Sequence, residues 1–193
     1  NQSLILAADI KEDLGLAPGI FLMSHTGRNT FYRGLEDIVK SMKHLPEDFH
    51  LVLLGSFDLR FEVILNQLVR SLGLQNRIHH VKAVHHSMVT KKIAGADLAI
   101  VATVGKSLSY QFALPNKIFE SIGAGLPVLC SDLPDMKALV QQYECGTVIK
   151  DMSPEALATQ LLSLRQDRPQ LQKWADHSKE AAKILNWKEE EKK

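Results

Sequence analysis

The stretch Leu114-Pro-Asn-Lys-Ile-Phe-Glu-Ser-Ile-Gly-Ala-Gly-Leu-Pro-Val-Leu-Cys-Ser-Asp132 reads as a loop, a short helix and a buried strand in quick succession. Pro115 suits a helix entrance, because the N–H it lacks has no intrahelical partner there. The helix is expected over 116–124, ended by Gly125, with a strand at Pro127-Val-Leu-Cys130. The amides of residues 116–119 would face an anion. Glu120 lies about one turn in, and its carboxylate can accept two hydroxyl hydrogen bonds, as from a ribose diol. A single helical glutamate is more often simply exposed. Lys117 is either a phosphate neighbour or a solvated surface lysine.

The same alternation runs through the chain on both sides of this stretch. Gly19-Ile-Phe-Leu-Met-Ser24 and His50-Leu-Val-Leu-Leu-Gly55 are continuous apolar runs of strand length. Residues 78–84 form a third strand and Asp97-Leu-Ala-Ile-Val-Ala102 a fourth; Gly146-Thr-Val-Ile149 is the sixth. Leu35, Ile38, Val39, Met42 and Leu45 share one helical face. So do Leu65, Leu68, Val69 and Leu72, which Gly73 closes. Shorter helices are expected at 4–15, 87–96 and 134–142, the last with Asp132 as N-cap. Ser153-Pro154 opens a helical region over 153–191 with a break near Arg168-Pro169. Six rounds of strand and helix predict a Rossmann-like α/β domain. Its parallel sheet has helices on both faces, a core at about 19–150 and C-terminal helices at about 153–191.

Ligands on such sheets bind outside the carboxyl ends of the strands. The loops there are therefore where chemistry is to be sought. Ser24-His-Thr-Gly-Arg-Asn-Thr-Phe-Tyr-Arg-Gly34 carries two glycines and two arginines between a strand and a helix start. Gly27 lets the backbone approach a ligand, and Arg28 and Arg33 offer forked donors to phosphate oxygens. A solvated loop with two surface arginines fits the spacing equally well. His25 opens this loop and so could bear on the phosphate, but an ordinary loop histidine is the leading reading. Gly55 alone would be only a turn at a strand end.

Composition narrows the partners. With 193 residues, 45% apolar and 23% charged, the chain is an ordinary globular domain. A net charge of +1 argues against a nucleic-acid partner or a polybasic membrane surface. Anion binding must then come from local placement of charge. Cys130 and Cys145 have neither zinc-site nor CxxC spacing and read as reduced thiols of a cytoplasmic protein. Cys130 is expected to act as a small buried apolar residue, and Trp174 and Trp187 as packing anchors. No apolar run reaches membrane-spanning length. The start on Asn1 and the charged end at 188–193 fit either a piece of a longer protein or trimmed termini.

Leu114-Pro-Asn-Lys-x-x-Glu120, Gly125-Leu-Pro-Val128 and Ser131-Asp-Leu-Pro134 together resemble the donor half of GT-B-fold glycosyltransferases of the group 1 (family 4) type. Gly27-Arg28 with Arg33-Gly34 is similar to that family's Gly-Arg…Lys-Gly loop, with Arg in place of Lys. Leu51-Val-Leu-Leu-Gly55 and Ala94-Gly-Ala-Asp-Leu-Ala-Ile100 match its strand-glycine and Ala-Asp strand. In order, these motifs cover about residues 8–190. The resemblance implies transfer of a sugar from a nucleotide diphosphate sugar, with retention. It implies a diphosphate held by Gly27, Arg28, Arg33, Asn116 and Lys117. It also implies a ribose on Glu120, and Gly55, Val84, Phe112, Leu114 and Pro115 lining the sugar and base. No metal or other cofactor is implied, since side chains and helix dipoles stabilise the leaving diphosphate. An N-terminal acceptor domain would be the missing partner and the only route to a membrane. The isolated piece is then expected to be inactive.

One position departs from the family pattern. The first Glu of its Glu-x7-Glu motif falls on Phe112, and a phenyl ring cannot hydrogen-bond a sugar hydroxyl. The backbone of 113–116 could hold the sugar alone, Tyr110 or Gln111 could substitute, or the domain binds nucleotide without transfer. A sugar-nucleotide epimerase of the same fold and a non-catalytic binding module also remain open. His79-His80 and His85-His86 suggest metal ligands. However, His79 and His80 must point to opposite faces of a strand, and the backbone of His85-His86 suits a nucleotide base better than its rings do.

Overall fold

A computed structural model describes residues 10–103 and 115–185. Within them lie six strands: β1 (Phe21–Thr26), β2 (Phe49–Gly55), β3 (Ile78–Lys82), β4 (Leu98–Val101), β5 (Val128–Ser131) and β6 (Gly146–Ile149). They form one sheet in the order β3-β2-β1-β4-β5-β6, and every pairing is parallel. The order reverses between β1 and β4. That switch point leaves a crevice beyond the carboxyl ends of the two strands.

The helices are α1 (Ile10–Asp13), α2 (Leu35–Ser41), α3 (Leu59–Ser71), α4 (His86–Ile93) and α5 (Asn116–Gly123). They are followed by α6 (Pro134–Gln142), α7 (Pro154–Gln166) and α8 (Arg168–Ile184). One face of the sheet packs Phe21, Met23, Leu51 and Leu53 against α2, α3 and α7. The other packs Leu22, Val52 and Leu54 against α1 and α4, and Val101, Val128 and Cys130 against α5 and α6. Strands buried on both faces explain the unbroken apolar runs of the sequence. α8 contributes Leu171 to one layer and Ala181 to the other. Trp174 packs against the first layer, as expected of an anchor.

Several boundaries differ from the sequence reading. α3 begins at Leu59, six residues before the apolar face starts. The Asp58 carboxylate caps it, accepting from the amides of Arg60 and Phe61 at 3.1 Å each. The first turns were hidden because Leu59, Val63 and Ile64 are exposed. The helix expected over 34–45 gives way after Ser41 to a 3₁₀ turn at Met42–His44. Asp132 does not cap α6; Leu133 holds that position, and the Asp132 carboxylate pairs with Lys137 at 3.2 Å. Ser153 does cap α7 through the Ala156 amide, with Pro154 at the first turn. The break between α7 and α8 falls at Asp167, whose side chain caps α8 through the Gln170 amide. Phe112 and Leu114 lie outside the described residues, as do Trp187 and the first half of the helix expected over 4–15.

Candidate functional site

The crevice between β1 and β4 gathers the residues that the sequence singled out. Its floor is the end of β1. His25 and Thr26, read from sequence as the opening of a loop, are instead the last two residues of this central strand, 1% and 2% exposed. The parallel ladder continues to Thr26, opposite Leu54. The loop proper starts at Gly27, whose φ of 97° suits glycine. The Gly27 amide donates to the Leu54 carbonyl at 3.0 Å, and the Asn29 amide to the Ser56 carbonyl at 2.8 Å. A Cβ at Gly55 would lie 1.8 Å from the Gly27 carbonyl oxygen. Gly55 is thus more than a turn: it lets the loops after β1 and β2 touch. Asn29 is fully buried there, and neither of its amide atoms has a hydrogen-bond partner among the described residues. Nothing in the sequence distinguished it.

Arg28 is exposed at the rim, whereas Arg33 is half-buried. Gly34, at φ 67°, turns the chain into α2 and packs on Ala102 and Met152. On the opposite wall, α5 starts after Pro115 with no side chain capping it. The Ile118 amide donates to the Pro115 carbonyl at 3.0 Å, so one of the amides expected to face an anion is already engaged. Asn116 is exposed and Pro115 half-buried.

Of the two sequence readings of Lys117, the solvated surface lysine is excluded: the residue is 6% exposed, with Nζ 3.2 Å from His25 Nε2. His25 Nδ1 lies 3.0 Å from the Ile100 carbonyl oxygen of β4. A carbonyl only accepts, so Nδ1 carries the ring hydrogen and Nε2 offers its lone pair to the lysine. Burial, and then the positive Lys117, hold the His25 pKa well below its usual value, so the ring is neutral. Burial, and then the Arg33 guanidinium, push Lys117 down to about 7, with Glu120 acting in the opposite direction. No carboxylate lies within ion-pairing distance of the ammonium among the described residues.

Glu120 is not an idle surface residue. Its Oε2 accepts from the Thr26 hydroxyl at 2.9 Å, which ties α5 to the end of β1. Its Oε1 has no protein partner among the described residues. Thr26 was not singled out from sequence; a threonine at a strand end carries no signal until its partner, 94 residues away, is known. The crevice therefore holds Arg33 and Lys117, with Arg28 at its rim, one oriented carboxylate, a glycine turn and a helix N-terminus. Such a set can take a ligand with an anionic group and a diol. Val84 sits at the far side, packed against the layer containing Leu54 and Val89.

The tempting histidines are occupied elsewhere. His79 and His80 do face opposite ways. His79 Nε2 is 2.9 Å from His50 Nδ1, while His80 stacks on Phe57 at 4.7 Å. His85 precedes α4 and bonds the Ser87 hydroxyl at 2.9 Å. Cys130 and Cys145 are buried free thiols, and burial pushes their pKa values up to about 12 and about 11. Cys130 is therefore no nucleophile near neutral pH. A hollow of about 440 Å³ lies at the opposite, amino-terminal end of the strands, beside Asp97 and Arg168. Asp97 there is engaged by Lys11 at 2.7 Å and by the Leu22 amide at 2.7 Å, so the hollow has little free chemistry to offer.

The profile of the family described as "Glycosyl transferases group 1" matches residues 8–181. A D-inositol 3-phosphate glycosyltransferase of Xylanimonas cellulosilytica is 25% identical over 186 residues, covering 93% of this chain and 42% of the relative. The Anabaena Alr3699/HepE structure in complex with UDP superposes with a TM-score of 0.79 at 18% identity, covering 91% of this chain and 47% of that one. The C-terminal domain of a group 1 family glycosyl transferase (LpcC) from Francisella tularensis gives 0.73 at 16% identity, covering 94% and 93%. The chain thus spans under half the length of the curated relatives it matches. No helix among the described residues is long and apolar enough to cross a membrane.

Proposed function

Since the chain belongs to the group 1 glycosyl transferases, we propose that its β1/β4 crevice binds the nucleotide diphosphate sugar from which a sugar is transferred. The observation that carries this reading is Lys117. A buried ammonium beside Arg33, hydrogen-bonded among the described residues only to a neutral histidine, is poorly compensated until an anion arrives. A diphosphate supplies that anion. Arg28, Arg33 and Lys117 would neutralise it, with backbone at Gly27 and Asn116 completing the cradle. The ribose hydroxyls would donate to Glu120, whose Oε1, without a partner among the described residues, is presented by the Thr26 bond to Oε2. Gly55, Val84 and Pro115, together with Phe112 and Leu114, would line the base and sugar.

In this reading, transfer passes through an oxocarbenium-like state with retention of configuration. The cations stabilise the diphosphate as it leaves. No metal or further cofactor is needed for that role. The acceptor would be held by a domain outside this chain, so the chain alone binds donor without transferring it. Phe112, where the family motif has a glutamate, favours a second reading: a nucleotide-binding module without transfer chemistry.

A thermal-shift screen with UDP, GDP and ADP tests the common core of both readings. A nucleotide at about 100 times its Kd stabilises by roughly 2.7 kcal/mol, or about 5–11 °C for a domain of this size. Arg33→Ala and Glu120→Ala should each shrink the shift, and His80→Ala should leave it. A transition that no nucleotide moves would contradict the donor-site reading.

A further inference from the structure

We propose that Lys117 and His25 form a buried proton-uptake couple, through which a nucleotide diphosphate bound in the crevice draws one proton into the site. The inference rests on the donor-site reading and adds a linkage to it. Its basis is geometric. Lys117 is 6% exposed, and its Nζ has a single hydrogen-bond partner among the described residues, His25 Nε2 at 3.2 Å. The Nδ1 bond to the Ile100 carbonyl fixes that imidazole as an acceptor towards the lysine. An N–H···N bond of this kind forms with either an ammonium or a neutral amine, so the contact survives loss of the proton. His25 is thus a positioning residue that keeps Nζ in place in both states.

Among the described residues, the charged and titratable groups facing Lys117 are His25 from β1, Arg33 from the loop behind it and Glu120 from its own helix. α4 and α8, also packed on α5, add no charge that moves it. Arg33 opposes the proton and Glu120 favours it, but burial outweighs both, with a balance point at about 7. Slightly above neutrality, the empty site is therefore short of its proton. A diphosphate beside Arg33 and Lys117 reverses the local potential and restores the ammonium. Hydronium, or the protonated form of a buffer, supplies the proton. No bond other than N–H forms.

The test is a pH titration of the Lys117 ¹³Cε resonance in ¹³C-lysine-labelled protein, with and without saturating UDP. Lys117→Met assigns the resonance, and Lys117→Arg does so independently if Met disturbs the fold. Without nucleotide the expected midpoint is near 7, and UDP should raise it by about three units, back to the ordinary lysine range. Calorimetry in buffers of different ionisation enthalpy should show close to one proton taken up at pH 8, where the UDP phosphates are already ionised. The apparent Kd for UDP should then rise close to tenfold between about pH 8 and 9. A midpoint in the ordinary lysine range without nucleotide overturns the couple. So does a low midpoint that bound UDP leaves unmoved, and in that case the donor site itself still stands. If UDP, GDP and ADP all fail to bind, both the donor-site reading and the coupling fall, and the nucleotide-free midpoint still reports whether the buried pair exists.

Discussion

Lys117 and Glu120 lie one helical turn apart and meet opposite fates. Glu120 turns to Thr26 through one carboxylate oxygen; Lys117 turns inward to His25. Burying an uncompensated cation costs stability, so Lys117→Met should stabilise the nucleotide-free protein by about 1–4 kcal/mol in urea unfolding at pH 7. The same variant should weaken nucleotide binding. Stability and function would then trade off at one atom, and a variant that lost stability instead would show that the lysine is fully compensated. At Thr26, replacement by Val removes the hydroxyl that aims Glu120. The expected loss is about 1 kcal/mol of nucleotide affinity, close to fivefold in Kd. Glu120→Ala should abolish any preference for UDP over 2′-deoxy-UDP, as competition titrations would read.

Among the elements, the loops at the carboxyl ends of β1 and β2 behave as one unit, because Gly55 has no side chain to separate them. Gly55→Ala places a Cβ 1.8 Å from the Gly27 carbonyl oxygen. The backbone there also holds a φ of 148°, which disfavours alanine. We expect this variant to lose more than about 2 kcal/mol and its nucleotide response together. Asp58→Ala should instead cost about 1 kcal/mol through the lost cap of α3 while leaving nucleotide affinity intact. Comparing the two by thermal unfolding separates a cap from a shared loop. The elements themselves were largely legible in the sequence, because strands buried on both faces write themselves as apolar runs. α3 was legible only over its second half: Leu59, Val63 and Ile64 face water and break the periodicity that Leu65 resumes. His25 and Thr26 could not be assigned to β1 from polarity, since polar residues at a strand end look like a loop. The burial of Lys117 depends on a contact 92 residues away, which no local pattern encodes.

At the scale of the whole molecule, the two buried bases of the crevice set the pH response. Lys117 has a folded pKa near 7 against 10.5 unfolded. Below pH 7 both states carry the proton and the penalty of the buried charge is fully present. Between pH 7 and 10.5 the unfolded chain holds a proton that the folded one has released, so stability should rise, by at most about 1.4 kcal/mol per unit. His25 acts in the same sense at lower pH: its folded pKa lies well below 6.5, so stability should fall as pH drops through 6.5. Urea midpoints measured from pH 5 to 10 check both arms; Lys117→Met should flatten the alkaline arm and, by removing the positive charge beside His25, weaken the acid one. The sheet order places these bases, the glycine loops and the start of α5 at the switch point, and the Asp97 hollow at the other end. The central claim is that a nucleotide diphosphate occupies the former. A crystal structure of the chain soaked with UDP, GDP or ADP tests it most directly. Diphosphate oxygens should lie within hydrogen-bond distance of Arg33 and Lys117 and ribose hydroxyls on Glu120; a nucleotide seated beside Asp97 and Arg168, or bound in the crevice without touching Glu120 and Lys117, would overturn the assignment.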